Sequence, residues 1–223
     1  APGVVVITTK KGQEGVVQVN FASKFSTAWV NRYPEQQDVY KRGYYNSAGV
    51  FSDYTTASWG EEFGSGEIMY NNIEDFFQTS NIFDNSLSVS GGSKTGTFYL
   101  SGSRFDQTGI VPVTGFNKTT FRFNGDQKYG RLTIGANVAY SIANTEKTLT
   151  SAGLWDAGGT GAMVGVYGWA RSDDMTHYLN EDGTKYRMFE GMQGLSADVE
   201  NPYWIINKNE LSDKTNRLTG SVN

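Results

Sequence analysis

Hydrophobic and polar residues alternate along several separate stretches of this chain. Val17, Val19 and Phe21 alternate with Gln18, Asn20 and Ala22, a period of two that puts apolar groups on one face of a β-strand and mostly polar groups on the other. Leu87 and Val89 alternate with Ser86, Ser88 and Ser90 ahead of the turn-forming run Gly91 to Gly96, and Thr97 to Phe105 reads as the returning strand of a hairpin. Phe121 and Phe123 alternate with Thr120, Arg122 and Asn124. After a short turn around Gln127 to Gly130, the apolar positions Leu132, Ile134, Ala136, Val138, Tyr140 and Ile142 alternate with Thr133, Gly135, Asn137, Ala139 and Ser141. Leu218, Gly220 and Val222, set against Arg217, Thr219 and Ser221, begin a sixth strand.

The connections differ in length. Tight turns are expected at about 91–96 and 127–130, a medium one at 107–116, and long ones at about 30–82 and 145–215. Structureless connections this long are uncommon in a compact soluble domain, whereas short turns on one side and long loops on the other mark a transmembrane barrel. The long stretches carry signals of their own. Val39, Tyr40 and Tyr44 predict a short helix from Pro34 to about Asn46, and Asn72 is placed to cap another over Ile73 to Gln78. Met175 to Leu179 and Thr184 to Phe189 flank Asn180-Glu181-Asp182-Gly183, where Asp-Gly offers the positive φ angles of a hairpin turn.

Composition agrees with an all-β fold: Gly 27, Tyr 13, Phe 13 and Trp 5 in 223 residues favour pleated surfaces and turns. A net charge of −4 without a long basic cluster excludes a nucleic-acid surface. With no cysteine and one histidine, His177, neither a disulfide framework nor a thiolate or histidine-rich metal site can form. No run of about 18 apolar residues is present, which rules out a membrane helix and leaves a membrane barrel open. No positively charged, apolar signal segment opens the chain, so it reads as a fragment beginning inside a mature sequence.

Alternation alone also fits a secreted β-sandwich with one wet face. Two features favour the barrel. The clearest strands run for roughly nine to eleven residues, enough to cross a bilayer when tilted, and Lys118, Arg122, Asn124 and Asp126 are candidates for a polar, lumen-facing wall.

Candidate chemistry is sparse. Trp59, Trp155, Tyr167, Trp169, Tyr203 and Trp204 fall in the long loops, where flat rings can stack on sugars, pack on peptide side chains or contact a partner. Asp173, Asp174 and His177 are close enough in sequence to suggest an acid–base or metal site, but adjacent Asp residues more often form turns and caps. Asn180, Glu181 and Asp182 lack the spacing of a calcium loop and read as a hairpin tip. Gly158-Gly159-Thr160-Gly161 lacks the Lys-Ser/Thr of a phosphate loop and reads as a flexible turn. No catalytic residue, metal or cofactor is assigned.

Several segments resemble, in the same order, the SusC/RagA-type TonB-dependent transporters of the Bacteroidetes outer membrane. Val4 to Ile7 closing on Thr8-Thr9-Lys10-Lys11-Gly12 is similar to the point where the family's plug ends and its barrel begins. Asn85 to Gly92, Phe98 to Ser103 and Asp106-Gln107-Thr108-Gly109-Ile110-Val111 are similar to its first barrel hairpin. Trp169 to Met175, and Asn201-Pro202-Tyr203-Trp204 leading to Asn216-Arg217, are similar to its long external loop and return strand.

The resemblance implies an all-β fragment: the last strand of a plug and its linker over 1–15, then, over 16–223, about six antiparallel strands of a barrel of about 22 with long extracellular loops. It also implies an outer-membrane location and import, without bond chemistry, of glycan or peptide oligomers. The implied partners are a SusD-like surface lipoprotein, outer-membrane lipid, and TonB through a segment outside this chain. The rival reading is a secreted β-sandwich that binds carbohydrate through its loop aromatics.

Overall fold

The computed structural model describes Gly3 and residues 10–150, 161–188 and 200–223. Eleven elements occur among them in the order β1 (Gly15–Ala28), β2 (Tyr44–Tyr45), β3 (Phe51–Ser52), α1 (Asn72–Phe76), β4 (Ser80–Ser93), β5 (Gly96–Thr108), β6 (Gly115–Tyr129), β7 (Leu132–Lys147), α2 (Ala162–Gly168), α3 (Pro202–Lys208) and β8 (Leu211–Val222). Six long strands form one antiparallel sheet in the order β1-β4-β5-β6-β7-β8, and β2 pairs only with β3. No helix among the described residues is long and apolar enough to cross a membrane.

Register makes the sheet two-sided over its whole width. One row runs Val19, Val89, Leu100, Phe123, Val138, Gly220, and the next on that face runs Phe21, Leu87, Gly102, Phe121, Tyr140, Leu218. Between them on the opposite face lies Asn20, Ser88, Ser101, Arg122, Ala139, Thr219. A slip of one residue in any strand would exchange its faces, so the aligned patterns fix the pairing. The sandwich reading requires the apolar face to be covered by a second layer. Instead Phe121, Leu132, Ile134 and Val138 remain 56%, 59%, 44% and 41% exposed, and no hydrophobic residue on the six strands belongs to the buried core.

The turns are unequal. Lys94-Thr95 joins β4 to β5, and Gly130-Arg131, with Gly130 at φ 62°, joins β6 to β7; both are tighter than the sequence suggested because the strands run on almost to the turn. At the other end lie the connections 29–79, 109–114 and 148–210. Among the described residues these contain the entire buried hydrophobic core: Ile73 and Phe76 from the first and Ala162, Val166, Trp169, Ala170, Met175, Met188, Ile205 and Ile206 from the last, with Val111 packed against it from the middle one.

Two expected helices came out differently. The stretch from Pro34 is not helical, because the Gln37 side chain folds back on its own backbone: its Oε1 accepts from the Val39 and Tyr40 amides at 2.9 and 2.7 Å. Tyr44 and Tyr45 go into β2 instead. Around Asn72 a helix does form, but Asn72 lies inside it and turns its side chain to the other loop instead of capping. The Asp-Gly hairpin is present in its described part, with Leu179 bridged to Lys185, Asn180 N–H donating to the Thr184 carbonyl at 2.8 Å and Gly183 at φ 78°.

Candidate functional site: a two-faced wall under a loop cap

The outer, apolar face has a measurable height. On β7 it runs from Leu132 to Ile142, ten residue steps of about 3.3 Å, which at a strand tilt of about 40° covers roughly 25 Å, the height of a barrel's lipid-facing band. Toward the loops it is crossed by a row of Ser23, Asn85, Arg104, Thr119 and Asn216, interrupted only by Ile142, beyond which the paired Phe25 and Phe83 rings are still exposed on the same face. Polar groups there satisfy one another: Ser23 Oγ donates to Asn85 Oδ1 at 2.6 Å, and Arg104 donates to Thr119 Oγ1 at 2.9 Å and to Asp106.

The opposite face carries the predicted polar wall. Lys118, Arg122, Asn124 and Asp126 all point to it from β6, as their spacing of two or four requires. Asp126 accepts from Thr97 Oγ1 at 2.6 Å, and Asn124 Nδ2 donates to the Lys10 carbonyl at 2.8 Å. That last contact brings the segment before β1 across this face.

Above the sheet, the long loops form one cap in which buried Asn72 joins the first long loop to the last and buried Asn201 ties two parts of the last one together. Asn72 Nδ2 donates to the carbonyls of Ala170 and Asp173, both at 3.0 Å, while its Oδ1 accepts from the Met175 amide at 3.1 Å. Asn201 Oδ1 accepts from the Tyr203 amide at 2.8 Å at the head of α3, where Pro202 follows it, and its Nδ2 donates to the Met175 carbonyl at 2.9 Å. Burying an amide is tolerable only when its polar atoms are so satisfied. The Asn-Pro pair was a legible start signal for α3; nothing as plain marks α2.

The six loop aromatics separate. Trp59 and Tyr167 are 64% and 50% exposed, with Trp59 6.0 Å from the Tyr40 ring. Trp169 is 2% exposed and belongs to the cap core, with its Nε1 unpartnered. Tyr203 is half-buried, edge-on to Phe76, and donates to the Asp75 carbonyl at 3.2 Å; burial raises its pKa, with the Asp75 and Asp174 charges adding to the effect. Trp204 lies beneath the ammonium groups of Lys185 and Lys208, 5.7 and 5.3 Å from its centroid. Trp155 lies outside the described residues, as do Val4 to Ile7 and Gly158 to Thr160. Sequence reasoning overlooked an exposed apolar cluster on the first loop, including Tyr45, Val50, Phe51 and Tyr54.

The acidic candidates are engaged structurally. Asp173 accepts from Arg42 Nε at 3.2 and 3.3 Å and from Ser172 Oγ at 2.7 Å. Asp174 accepts from the Thr176 amide and hydroxyl, and His177 stacks on Tyr186 at 3.9 Å. Asp182 is held below the usual carboxylate range by the hydroxyl and amide of Thr184. No group of three or more potential metal ligands occurs among the described residues.

No protein-family profile matches the chain. It is 28% identical over 204 residues, 91% of its length, to the TonB-dependent receptor P3 of Formosa agariphila. In fold it matches structures of the RagAB peptide importer in the closed-closed and open-open states, with TM-scores of 0.60 and 0.57 over 96% of the chain. The resemblance is to SusC/RagA-type TonB-dependent transporters. At 17% identity to the RagAB structures this likeness is one of fold, and it makes the six-stranded sheet a β-barrel fragment. The chain spans 19% of the length of the Formosa TonB-dependent receptor and 27% and 26% of the matched RagAB chains.

Proposed function

We propose that this chain is the first part of the barrel wall, with its external loop cap, of an outer-membrane TonB-dependent importer of the SusC/RagA type. The observation that carries the reading is the two-faced sheet: an uncovered apolar band roughly 25 Å tall backed by a polar face with Lys118, Arg122, Asn124 and Asp126. Lipid bathes the first face, and the second lines a wet or protein-filled lumen. A closed barrel satisfies every backbone group in lipid, and β1 and β8, each paired on one side only among the described strands, are where the wall continues.

Residues 1–15 are the end of the plug and its linker, and 16–223 the start of the barrel. The work is binding and gated passage of oligomers, glycan or peptide, with energy from TonB and with a SusD-like lipoprotein as lid. The cap faces the cell exterior. Of the aromatic candidates, Trp59 and Tyr167 are the ones presented to an incoming oligomer or to the lid. Support for the partner comes from the RagAB neighbours.

The test is genetic. Deleting the gene for the complete protein should abolish growth on one class of oligomer while growth on its monomers continues, and the protein should fractionate with the outer membrane. Normal growth on every glycan and peptide oligomer tried, or recovery of the complete protein as a soluble monomer, would overturn the assignment.

A further inference from the structure

The segment that enters β1 does not hang free. It crosses the polar face of the sheet and touches three strands in succession. Gly15 pairs with Gly92 of β4. Gly12 lies on the paired backbones of β4 and β5: a Cβ there would stand 2.6 Å from the Phe98 amide nitrogen and 2.7 Å from the Gly91 carbonyl oxygen, and closer still to the Phe98 carbonyl oxygen. Lys10 then gives its carbonyl to Asn124 Nδ2 of β6 at 2.8 Å. Only glycine can approach backbone so closely.

The crossing has little slack. From β1 to β6 there are three inter-strand gaps of about 4.8 Å, roughly 14 Å in all. The five residue steps from Gly15 to Lys10 reach about 17 Å at full extension. The chain therefore runs nearly straight over the wall.

We propose that residues 10–14 are a fixed strap, with Gly12 and Asn124 as its positioning residues, so that any rearrangement of the chain before Lys10 pivots at this point and is not passed into β1. The inference concerns the wall itself and holds whatever the cargo.

This chain contains no cysteine, so Gln13→Cys, made in the complete protein with any cysteine outside this chain replaced by serine, supplies a unique site for a nitroxide spin label, read in detergent micelles. The strap predicts a single, motionally restricted spectrum. Asn124→Ala, which adds no atoms, and Gly12→Val, which forces the segment off the sheet, should each lengthen the label's motional amplitude and shorten its correlation time by roughly threefold or more. A second label at Lys94→Cys in the β4–β5 turn should be unaffected, which separates release of the strap from misfolding of the wall. A mobile spectrum at position 13 without these substitutions, or one that Asn124→Ala leaves unchanged, overturns the proposal. Loss of oligomer uptake in the complete protein is a separate readout and bears on the importer assignment alone.

Discussion

The sheet and the cap are built on opposite principles. In the sheet, apolar side chains are uncovered and order comes from the backbone ladder and from rows in register. In the cap, the described residues form three helices of only five to seven residues, and a set of apolar side chains is buried as in a small globule. Short helices are marginal alone and depend on tertiary packing. One chain thus meets two solvents: the cap is stable against water, and the wall is stable only where something oily replaces water on its outer face.

The sharpest way to break that contrast is to empty the cap core. Phe76 is 1% exposed and touches Phe77 and Tyr203 edge-on, so Phe76→Ala should cost about 3–5 kcal/mol. Hydrogen exchange of the complete protein in micelles should then quicken across α1, α2 and α3 and leave β4 to β7 unchanged. Equal loosening of the strands would mean that cap and wall form one cooperative unit. The converse substitution is Val138→Arg on the outer face, expected to cost about 2–4 kcal/mol at mid-membrane. Urea titration of folding into lipid vesicles measures it, with Arg122→Leu on the polar face as the comparison; similar penalties for both would erase the distinction between the faces.

A smaller effect tests how the loops are joined. Asn72→Ala removes two donated bonds and one accepted bond and leaves the Met175 amide without its partner, a loss of about 1–3 kcal/mol. Exchange should rise at 170–175 and around α1 but not around the hairpin at 179–185. Asn72→Asp keeps the acceptor for Met175 but sets a buried carboxylate against the carbonyl oxygens of Ala170 and Asp173, so it should loosen the same segments more than Asn72→Ala does.

The wall was far more legible in the sequence than the cap. Alternation at Val17 to Ala22, Ser86 to Ser90 and Leu132 to Ile142 located strands because a strand needs only local period and a polar or apolar environment on each side. What it missed were the strand ends, such as Ser26 to Ala28 and Leu211 to Thr215, where polar residues on both sides blur the contrast between faces. The cap is a tertiary product. Nothing local says that Gln37 will bind its own backbone, that Asn72 will reach across 98 and more residues to Ala170 and Asp173, or that Trp169 will be interior while Trp59 is not. Asn201-Pro202 is a local start signal for α3, although by resemblance the segment is only part of the long external loop.

The smallest effect lies at the cap's rim and is set by pH. Glu67 accepts from the Gly64 amide at 2.6 Å and from Lys41 Nζ at 3.1 Å, and these two bonds, the backbone one first, hold its carboxyl below the ordinary glutamate range. A carboxylate with a depressed pKa in the folded state contributes stability that is complete above its unfolded value and is lost as pH falls through the folded value. The 64–67 turn should therefore survive the pH at which a free glutamate titrates and loosen only below it. Because both partners are exposed, the change should be confined to the turn and weakened by salt. Exchange at Gly64 and Glu67 followed down the pH scale, beside Glu67→Gln, which should lack this pH dependence, measures it. Loosening that coincides with ordinary glutamate titration would show that the Gly64 and Lys41 contacts do not hold the charge.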